Sequence, residues 1–199
     1  MAGRSEGTLD RREVVAHILK ARGTSLLVTG LGAPTWDAAA AGDNPNNFYL
    51  WGGMGGAVSV GLGLALAQPD RRVLVLTGDG EMLMGLGSLA TVGIQKPKNL
   101  AVCVIDNQRY GETGMQETAT FFGVDLSAIA QGAGFLNALT IRDQDDLALA
   151  IRDIFVTPGP VFVAVKVKPM DYPMVLPEKD GLELKHRFRA QILGARKEI

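Results

Sequence analysis

Two short polar segments of the chain combine residue types that bind metal ions and phosphate groups. Gly78-Asp79-Gly80 directly follows the apolar run Val73–Thr77, and Asp106-Asn107 follows the apolar run Leu100–Ile105, with 25 residues between the two segments. Mg²⁺ prefers oxygen ligands and usually takes only one or two of them from side chains, while phosphate and water supply the rest. We therefore expect Asp79 and Asn107 to share a magnesium ion.

The glycines of the first segment favour an anion next to that metal. Gly78 and Gly80 allow a sharp turn and a close approach of the backbone to a ligand, and the N–H groups that open the next helix attract negative charge. Gly-Asp-Gly and Asp-Asn are also common in ordinary turns. Their occurrence after two consecutive strands favours a diphosphate site over that structural interpretation.

The elements that must position these residues are parallel strands joined by helices. Because the runs Val73–Thr77 and Leu100–Ile105 are apolar at both odd and even positions, they fit the middle of a sheet that is covered on both faces. The carboxyl ends of neighbouring parallel strands lie at one edge, where such sheets bind ligands. We predict an α/β fold, a three-layer doubly wound parallel sheet with these strands: Ser25–Val28, Val73–Thr77, Leu100–Ile105 and Val161–Val167.

Helical spacing of apolar residues and the positions of proline predict the covering helices. They are Arg11–Ala21, Gly55–Ala67, Glu81–Gln95, Asp143–Phe155 and Leu182–Leu193. Residues 55–67 are almost all small or apolar, which predicts a helix buried on every side, with Gly61 and Gly63 allowing close approach of another backbone. We expect one domain over residues 1–199, with residues 1–10 flexible and residues 169–199 forming a Pro-rich segment and a helical tail.

The composition argues against several classes of protein. Hydrophobic residues make up 47% and charged residues 21%, which predicts a folded chain. A net charge of -1 without blocks of like charge predicts neither a nucleic-acid nor a membrane partner. The one cysteine, Cys103, lies in an apolar run, so the chain alone cannot build a disulfide framework or ligate an iron–sulfur cluster. We expect a cytoplasmic protein.

Together, the two polar segments resemble the thiamine-diphosphate fingerprint of the decarboxylase and acetolactate synthase superfamily. The resemblance implies that Asp79, Asn107 and the carbonyl oxygen of Arg109 hold Mg²⁺, which in turn holds the diphosphate. Asp106 stands where an asparagine is commoner, a difference expected to be harmless because Asn107 is the ligand. Glu81 stands where serine or alanine is frequent, so its side chain should point away from the diphosphate or be separated from it by Mg²⁺.

A second segment, Trp51-Gly52-Gly53-Met54-Gly55, resembles the loop that cradles the cofactor's aminopyrimidine. The resemblance gives catalytic roles to Met54, as the wedge that bends the cofactor, and to Gly52, whose carbonyl accepts from the 4′-amino group. Bending brings the 4′-imino nitrogen to the C2 proton that it removes, although Met54 could also be ordinary core packing. A weaker resemblance marks Thr29–Gly32 as a diphosphate loop. The expected cofactor-binding residues are Thr29, Gly30, Gly32, Gly52, Gly53, Met54, Gly78, Asp79, Gly80, Glu81, Asn107, Arg109, Tyr110 and Gly111.

Segments Ala67–Arg72 and Asp106–Gly114 are similar to those of phosphonopyruvate and sulfopyruvate decarboxylases. That similarity implies a thiamine-diphosphate-dependent lyase, which decarboxylates an anionic 2-oxo acid. In this family a separate pyrimidine-binding domain supplies the glutamate that activates the cofactor, and this chain has no room for that domain. We therefore expect a partner subunit and a hetero-oligomer, a dimer of dimers or larger, with the Met54 loop and the helix at residues 55–67 at the interface.

Two other functions share the same motifs. The chain could belong to a carboligase of the acetolactate synthase type, or it could be a non-catalytic scaffold half. Candidates for binding the anionic group of the substrate are Arg109 near the expected site and His186, Arg187 and Arg189 on the tail, although a solvated helix face is the more ordinary interpretation of the tail. Glu112 and Thr113 are expected near the substrate, without an assigned role.

Overall fold

A six-stranded parallel sheet forms the centre of the protein in the computed structural model, which describes residues 7–194. Its strand order is β2-β1-β3-β4-β8-β7, and two further strands form a small antiparallel hairpin. The eight strands are β1 (Leu26–Thr29), β2 (Asn47–Tyr49), β3 (Val73–Gly78), β4 (Leu100–Asp106), β5 (Arg109–Tyr110), β6 (Gln116–Glu117), β7 (Asn137–Ile141) and β8 (Val161–Lys166).

Helices cover both faces of the sheet. They are α1 (Arg11–Lys20), α2 (Ala33–Ala40), α3 (Ala57–Ala67), α4 (Asp79–Met84), α5 (Ser88–Gln95), α6 (Leu126–Gly132), α7 (Gln144–Phe155) and α8 (Gly181–Leu193). Residues of α1, α2 and α7 pack with Leu74 and Leu76 on one face, whereas α3, α4, α5 and α6 pack with Val73 and Val75 on the other. The predicted three-layer α/β fold, with β3 and β4 in the middle of the sheet, is confirmed.

The single helix predicted over Glu81–Gln95 is wrong, because the chain forms two helices there. Gly85 ends α4. Its backbone packs so closely on the loop before α3 that an added Cβ would lie 2.1 Å from the carbonyl oxygen of Gly55. The Ser88 hydroxyl then donates to the Gly85 carbonyl at 2.6 Å and closes the turn before α5. The prediction missed β2 and β7 of the main sheet, the hairpin strands β5 and β6, and helices α2 and α6. Strands β2, β5 and β6 have only two or three residues each, and β7 is exposed at Leu139, so its apolar pattern is incomplete.

Helix α3 is buried on one side only, which corrects the expectation of burial all round. Gly61 faces the sheet, where an added Cβ would lie 2.2 Å from Cγ2 of Val75, so the predicted close approach is present at this residue. Gly63 is exposed and has nothing within 4 Å of an added Cβ. Leu66 is 50% exposed. The outer side of α3 is thus an apolar surface that residues 7–194 leave uncovered.

The described residues near both ends are packed against the rest of the chain. Leu9 is buried and bridges to Val167, and the Asp10 carboxylate caps α1 by accepting from the N–H groups of Arg12 and Glu13. The flexibility expected for residues 1–10 stays a prediction, since residues 1–6, like the last five residues of the tail, lie outside the described part. None of the helices within residues 7–194 is long and apolar enough to cross a membrane.

Candidate cofactor and metal site

The parallel pairing of β3 with β4 brings the two polar segments to one edge of the sheet. Gly78 pairs with Ile105, so Asp79 and Asp106 follow at adjacent positions. Asp79 opens α4, and Gly80 passes so close to Tyr110 that an added Cβ would lie 2.5 Å from the ring. Asp79 and Asn107 both line one cleft, whose empty volume is about 560 Å³ including the space open to solvent.

A buried network of hydroxyl groups and charges holds the Asp79 side chain. Its Oδ2 accepts from Thr118 at 2.6 Å. The Thr120 hydroxyl lies 3.2 Å from the same oxygen and 2.8 Å from Oδ1 of Asp106, so it bridges the two carboxylates. Lys166 Nζ lies 2.5 Å from Oδ2 of Asp106. The replacement of asparagine by Asp106 is therefore matched by a buried lysine, and Asp106 takes part in organising the site.

The electrostatics of Asp79 favour a cation. Burial, and then the negative charge of Asp106, raise the pKa of Asp79 to about 7, although hydrogen bonds from the two threonines act in the opposite direction. A buried carboxylate beside a second carboxylate is stabilised in its charged form when a cation binds. Mg²⁺ fits this arrangement, because Asp79 supplies the carboxylate oxygen that it prefers.

Asn107 lies in a turn that leads directly into the β5–β6 hairpin. Its Oδ1 accepts from the N–H of Arg109 at 3.0 Å, and Gln108 between them has φ 63°, in the left-handed region. The Arg109 guanidinium stacks over the Phe121 ring at 4.4 Å and lies 3.8 Å from Glu117. Arg109 thus lines the cleft with its side chain already engaged. Among residues 7–194, no group of three or more His, Cys, Asp or Glu side chains is arranged for a metal, so a metal here depends on amide, carbonyl and ligand oxygens as well.

The loop after β1 lines the same cleft as Asp79 and Asn107. The Thr35 hydroxyl lies 2.9 Å from the Thr29 hydroxyl and 2.7 Å from the Gly30 carbonyl, which ties the loop to α2. Gly32 has φ 91°, a conformation that suits glycine, and it precedes α2 with Pro34 in the first turn. The Glu112 side chain lies over Gly32 and accepts from Trp36 Nε1 at 3.1 Å.

The glycine-rich loop before α3 places Met54 in the cleft. Gly52 and Gly55 have φ of 73° and 82°, so this loop shape depends on glycine at both positions. Trp51 packs on Trp36 with ring centroids 5.3 Å apart, which joins this loop to α2. The Met54 side chain is half-buried rather than enclosed in the core, and it therefore remains available to a ligand.

The Glu81 side chain is buried and bonded to neutral groups of the protein. It accepts from the Thr77 hydroxyl at 2.7 Å and from the Gly55 N–H at 3.3 Å, and burial raises its pKa. The predicted residues that line the cleft are Gly32, Met54, Gly78, Asp79, Gly80, Glu81, Asn107, Arg109, Tyr110 and Gly111, together with Glu112 and Thr113. Those that do not line it are Thr29, Gly30, Gly52 and Gly53, which support the surrounding loops.

The structure separates the tail from the cleft and adds residues that the sequence did not single out. Arg187 pairs with Asp43 at 2.5 Å, His186 and Arg189 are exposed, and none of the three lines the cleft. The additional lining residues are Arg11, Leu31, Ala33, Pro34 and Ile105. Arg11 opens α1, is 4% exposed and pairs with Asp37 at 3.1 Å. No motif marks it, because its position at the cleft results from the packing of α1 on α2.

Comparison with known proteins identifies the family. Residues 32–165 match the model of the thiamine pyrophosphate enzyme, C-terminal TPP binding domain. The sulfopyruvate decarboxylase subunit beta of Methanothermobacter thermautotrophicus is 40% identical over 187 residues, which cover 94% of this chain and 97% of the relative. The phosphonopyruvate decarboxylase of Streptomyces viridochromogenes is 41% identical over 153 residues, 74% of this chain and 37% of the relative.

A solved structure has a similar fold. The thiamine diphosphate-dependent 4-hydroxybenzoylformate decarboxylase of Rhodococcus jostii superposes with a TM-score of 0.68 over 84% of this chain and 34% of its own, at 19% identity. At that identity the likeness concerns the fold alone. The family match, by contrast, spans both polar segments and the Met54 loop, and the chain belongs to the thiamine pyrophosphate enzymes as their C-terminal, TPP-binding domain.

Proposed function

We propose that the chain is the diphosphate- and magnesium-binding subunit of a two-subunit, thiamine-diphosphate-dependent 2-oxo acid decarboxylase. The observation that carries this proposal is the position of Asp79 and Asn107, which end neighbouring strands and line one cleft together with Met54. Relatives of nearly the same length are named sulfopyruvate decarboxylase subunit beta. A lone, buried Cys103 fits a reducing compartment, and we place the protein in the cytoplasm.

In this proposal Asp79, Asn107 and the Arg109 carbonyl hold Mg²⁺. The Thr118 and Thr120 hydroxyls orient Asp79 by holding its Oδ2. The loop after β1 and the start of α4, whose first residues are Asp79 and Gly80, would hold the diphosphate. Backbone N–H groups at such a position stabilise phosphate oxygens.

Met54 and Gly52 are assigned to the pyrimidine end of the cofactor. Met54 supports the bent cofactor with an apolar side chain, and the Gly52 carbonyl accepts from the 4′-amino group. Thiamine diphosphate, when bound, supplies an electron sink for the carbanion that remains when CO₂ leaves. The contribution of this chain is to hold the cofactor in the bent shape that brings base and proton together.

The partner in this proposal is a pyrimidine-binding subunit. It would cover the apolar outer side of α3, where Leu66 is half exposed, and would supply the glutamate that activates the pyrimidine. Exposed apolar surface that continues from a functional cleft is typical of an interface. The matched residues cover only 37% of the phosphonopyruvate decarboxylase, so that relative has room for a second domain in the same polypeptide.

The proposed substrate is a small 2-oxo acid with a second anionic group, of the sulfopyruvate or phosphonopyruvate type. Arg11 and Arg109 both line the cleft. Each also contacts the protein, Arg11 through Asp37 and Arg109 through Phe121 and Glu117, but a guanidinium has five N–H donors and can pair with a tetrahedral oxyanion at the same time. The arginines also distinguish this cleft from one lined only by the carboxylates of Asp79, Glu81 and Glu112, which would repel such a substrate.

The test is an assay of the chain together with its pyrimidine-binding partner. CO₂ release and products are measured with sulfopyruvate, phosphonopyruvate and pyruvate, singly and in pairs, with the Asp79→Ala complex as control. We expect CO₂ and the corresponding aldehyde from a sulfonate or phosphonate substrate. A coupled product from two oxo acids would instead identify a carboligase. No gain in rate when the chain is added to its partner would identify a scaffold half.

A further inference from the structure

We propose that Glu81 is a positioning residue that fixes the Met54 loop relative to the diphosphate loop. The inference rests on the proposed function, since it concerns how this cleft holds a two-part cofactor. Glu81 is 4% exposed although it lines the cleft, and all of its recorded hydrogen-bond partners are neutral donors of the protein. Its carboxylate is therefore committed to holding protein groups in place.

The Glu81 carboxylate joins three separate segments. Oε2 accepts from the Thr77 hydroxyl on β3 at 2.7 Å. Oε1 accepts from the N–H of Gly55, next to Met54, at 3.3 Å. Burial raises the pKa of Glu81, and the backbone N–H of Leu31, in the loop after β1, is among the donors that act against this rise. The two loops assigned to opposite ends of the cofactor are thus held by one side chain.

Gly30 provides the space for this connection. An added Cβ at Gly30 would lie 1.8 Å from Oε1 of Glu81 and 1.9 Å from Oε2, far inside van der Waals contact. Gly30 does not line the cleft itself. Position 30 therefore requires glycine because the Glu81 carboxylate occupies the space that a side chain would need.

Helix α4 holds the Met54 loop at a second point. Gly85, just after the helix, packs on Gly55 so closely that an added Cβ would lie 2.1 Å from the Gly55 carbonyl oxygen. Glu81 contacts the N–H of the same residue from the first turn of the helix. Glu81 in α4 and Gly85 at its end thus both contact Gly55, and the same helix begins with the proposed metal ligand Asp79. Helix α4 therefore fixes Asp79 relative to the Met54 loop.

Chain geometry explains why a glutamate is suited to this role. A serine hydroxyl has one oxygen on a short side chain, whereas a carboxylate has two oxygens that accept several hydrogen bonds at once. Bonds from N–H groups to a carboxylate are stronger than those between neutral groups. A glutamate can thus hold two loops and a strand together. The side chain of a serine at position 81 would be too short to reach the groups that Glu81 contacts.

The test separates binding of the whole cofactor from binding of its diphosphate end. Affinities for Mg²⁺ with thiamine diphosphate and for Mg²⁺ with inorganic pyrophosphate are measured by calorimetry on the complex with the partner subunit. Glu81→Ala should lower the affinity for thiamine diphosphate relative to that for pyrophosphate at least tenfold. Glu112→Gln is the matched control, because it removes another carboxylate from the cleft without touching Gly55, and it should change both affinities by the same factor.

Gly30→Ala is a second variant, which displaces the Glu81 carboxylate without removing it, and it should produce the same relative loss. Hydrogen exchange of the Gly55 amide in the cofactor-free chain gives an independent measurement, in which Glu81→Ala should lose protection. Equal loss of both affinities, or no loss of either, would overturn the proposal. If the wild type binds no thiamine diphosphate, the proposed function fails, and an unchanged Gly55 exchange rate would then refute the role of Glu81 separately.

Discussion

Lys166 and Asp106 form a buried ion pair directly behind the proposed metal ligand, with Nζ 2.5 Å from Oδ2. Asp106 is also the neighbouring charge that contributes to the raised pKa of Asp79. Lys166 ends β8, Asp106 ends β4, and Asp79 directly follows β3. Three adjacent strands of the sheet thus place one positive and two negative charges together at the same edge.

Removing Lys166 alone should destabilise the protein strongly. Lys166→Met leaves Asp106 buried without its counter-charge, and breaking a buried pair in this way typically lowers the free energy of unfolding by about 3–5 kcal/mol. The double variant Lys166→Met/Asp106→Asn should recover most of that loss, because no unpaired charge remains. Urea unfolding of the four proteins in this cycle measures the coupling. Additive effects of the two substitutions would show that the pair does not act as a unit.

The pH dependence of the metal-free protein should show the titration of Asp79. Its pKa of about 7 in the folded chain exceeds the ordinary value of 3.8, so the folded state favours the protonated form. The stabilising contribution is therefore complete below about pH 3.8 and is lost as the pH rises through 7. Comparison with Asp79→Asn isolates it, since that variant should lack this part of the pH profile in thermal unfolding.

Binding of Mg²⁺ should depend on pH in the opposite direction. Because the carboxylate of Asp79 must be deprotonated to bind the metal, the affinity should fall about tenfold for each pH unit below 7. Calorimetric titration of the chain with Mg²⁺ and pyrophosphate between pH 5.5 and 8, corrected for the ionisation of pyrophosphate, measures this slope. A flat profile would contradict the assignment of Asp79 as a ligand that exchanges its proton for the metal.

Asp79→Ala should abolish Mg²⁺-dependent binding of the cofactor, because it removes the charged oxygen ligand. Asp145→Ala is a suitable control, as Asp145 is exposed on α7 and does not line the cleft. Equilibrium binding of thiamine diphosphate with and without Mg²⁺ distinguishes the two variants. Equal affinity in the wild type and in Asp79→Ala would remove the metal assignment.

Met54→Ala should leave cofactor binding measurable but slow the removal of the C2 proton on the order of 10²-fold, because the bent cofactor loses its apolar support. Hydrogen–deuterium exchange at C2, followed by NMR in the complex with the partner subunit, measures this step. Met174→Ala, which truncates a methionine that is 64% exposed outside the cleft, should leave the exchange rate unchanged. A C2 exchange rate in Met54→Ala equal to that of the wild type would mean that Met54 serves only in ordinary packing.

Substitution of two glycines in α3 should have opposite effects on stability. Gly61→Ala forces a methyl group against Val75 and should lower the free energy of unfolding by about 1–3 kcal/mol. Gly63→Ala meets no neighbour, and alanine in a helix is favoured over glycine by about 1 kcal/mol, so this change should be neutral or stabilising. Thermal unfolding of the two variants tests the packing of α3 on the sheet. The same loss in both would contradict it.

The sequence by itself determined the centre of the fold and the pairing of the two polar segments. Val73–Thr77 and Leu100–Ile105 are apolar on both faces, and only a central strand buries both. Once these runs are neighbours in a parallel sheet, Asp79 and Asn107 must emerge at one edge. These patterns are local, because they depend on the alternation of side chains along a strand and on the residues that directly follow it. They can therefore be recognised from the sequence.

Only the tertiary structure decided how the site is held together. Thr118 donates to Asp79, and Lys166 pairs with Asp106, although the partners are far apart in sequence and no local pattern indicates either contact. The orientation of Glu81 depends on the absence of a side chain at Gly30 in another loop, and the break after α4 depends on the approach of Gly55. These arrangements are set by which surfaces pack against each other, and that choice involves the whole chain rather than any one segment.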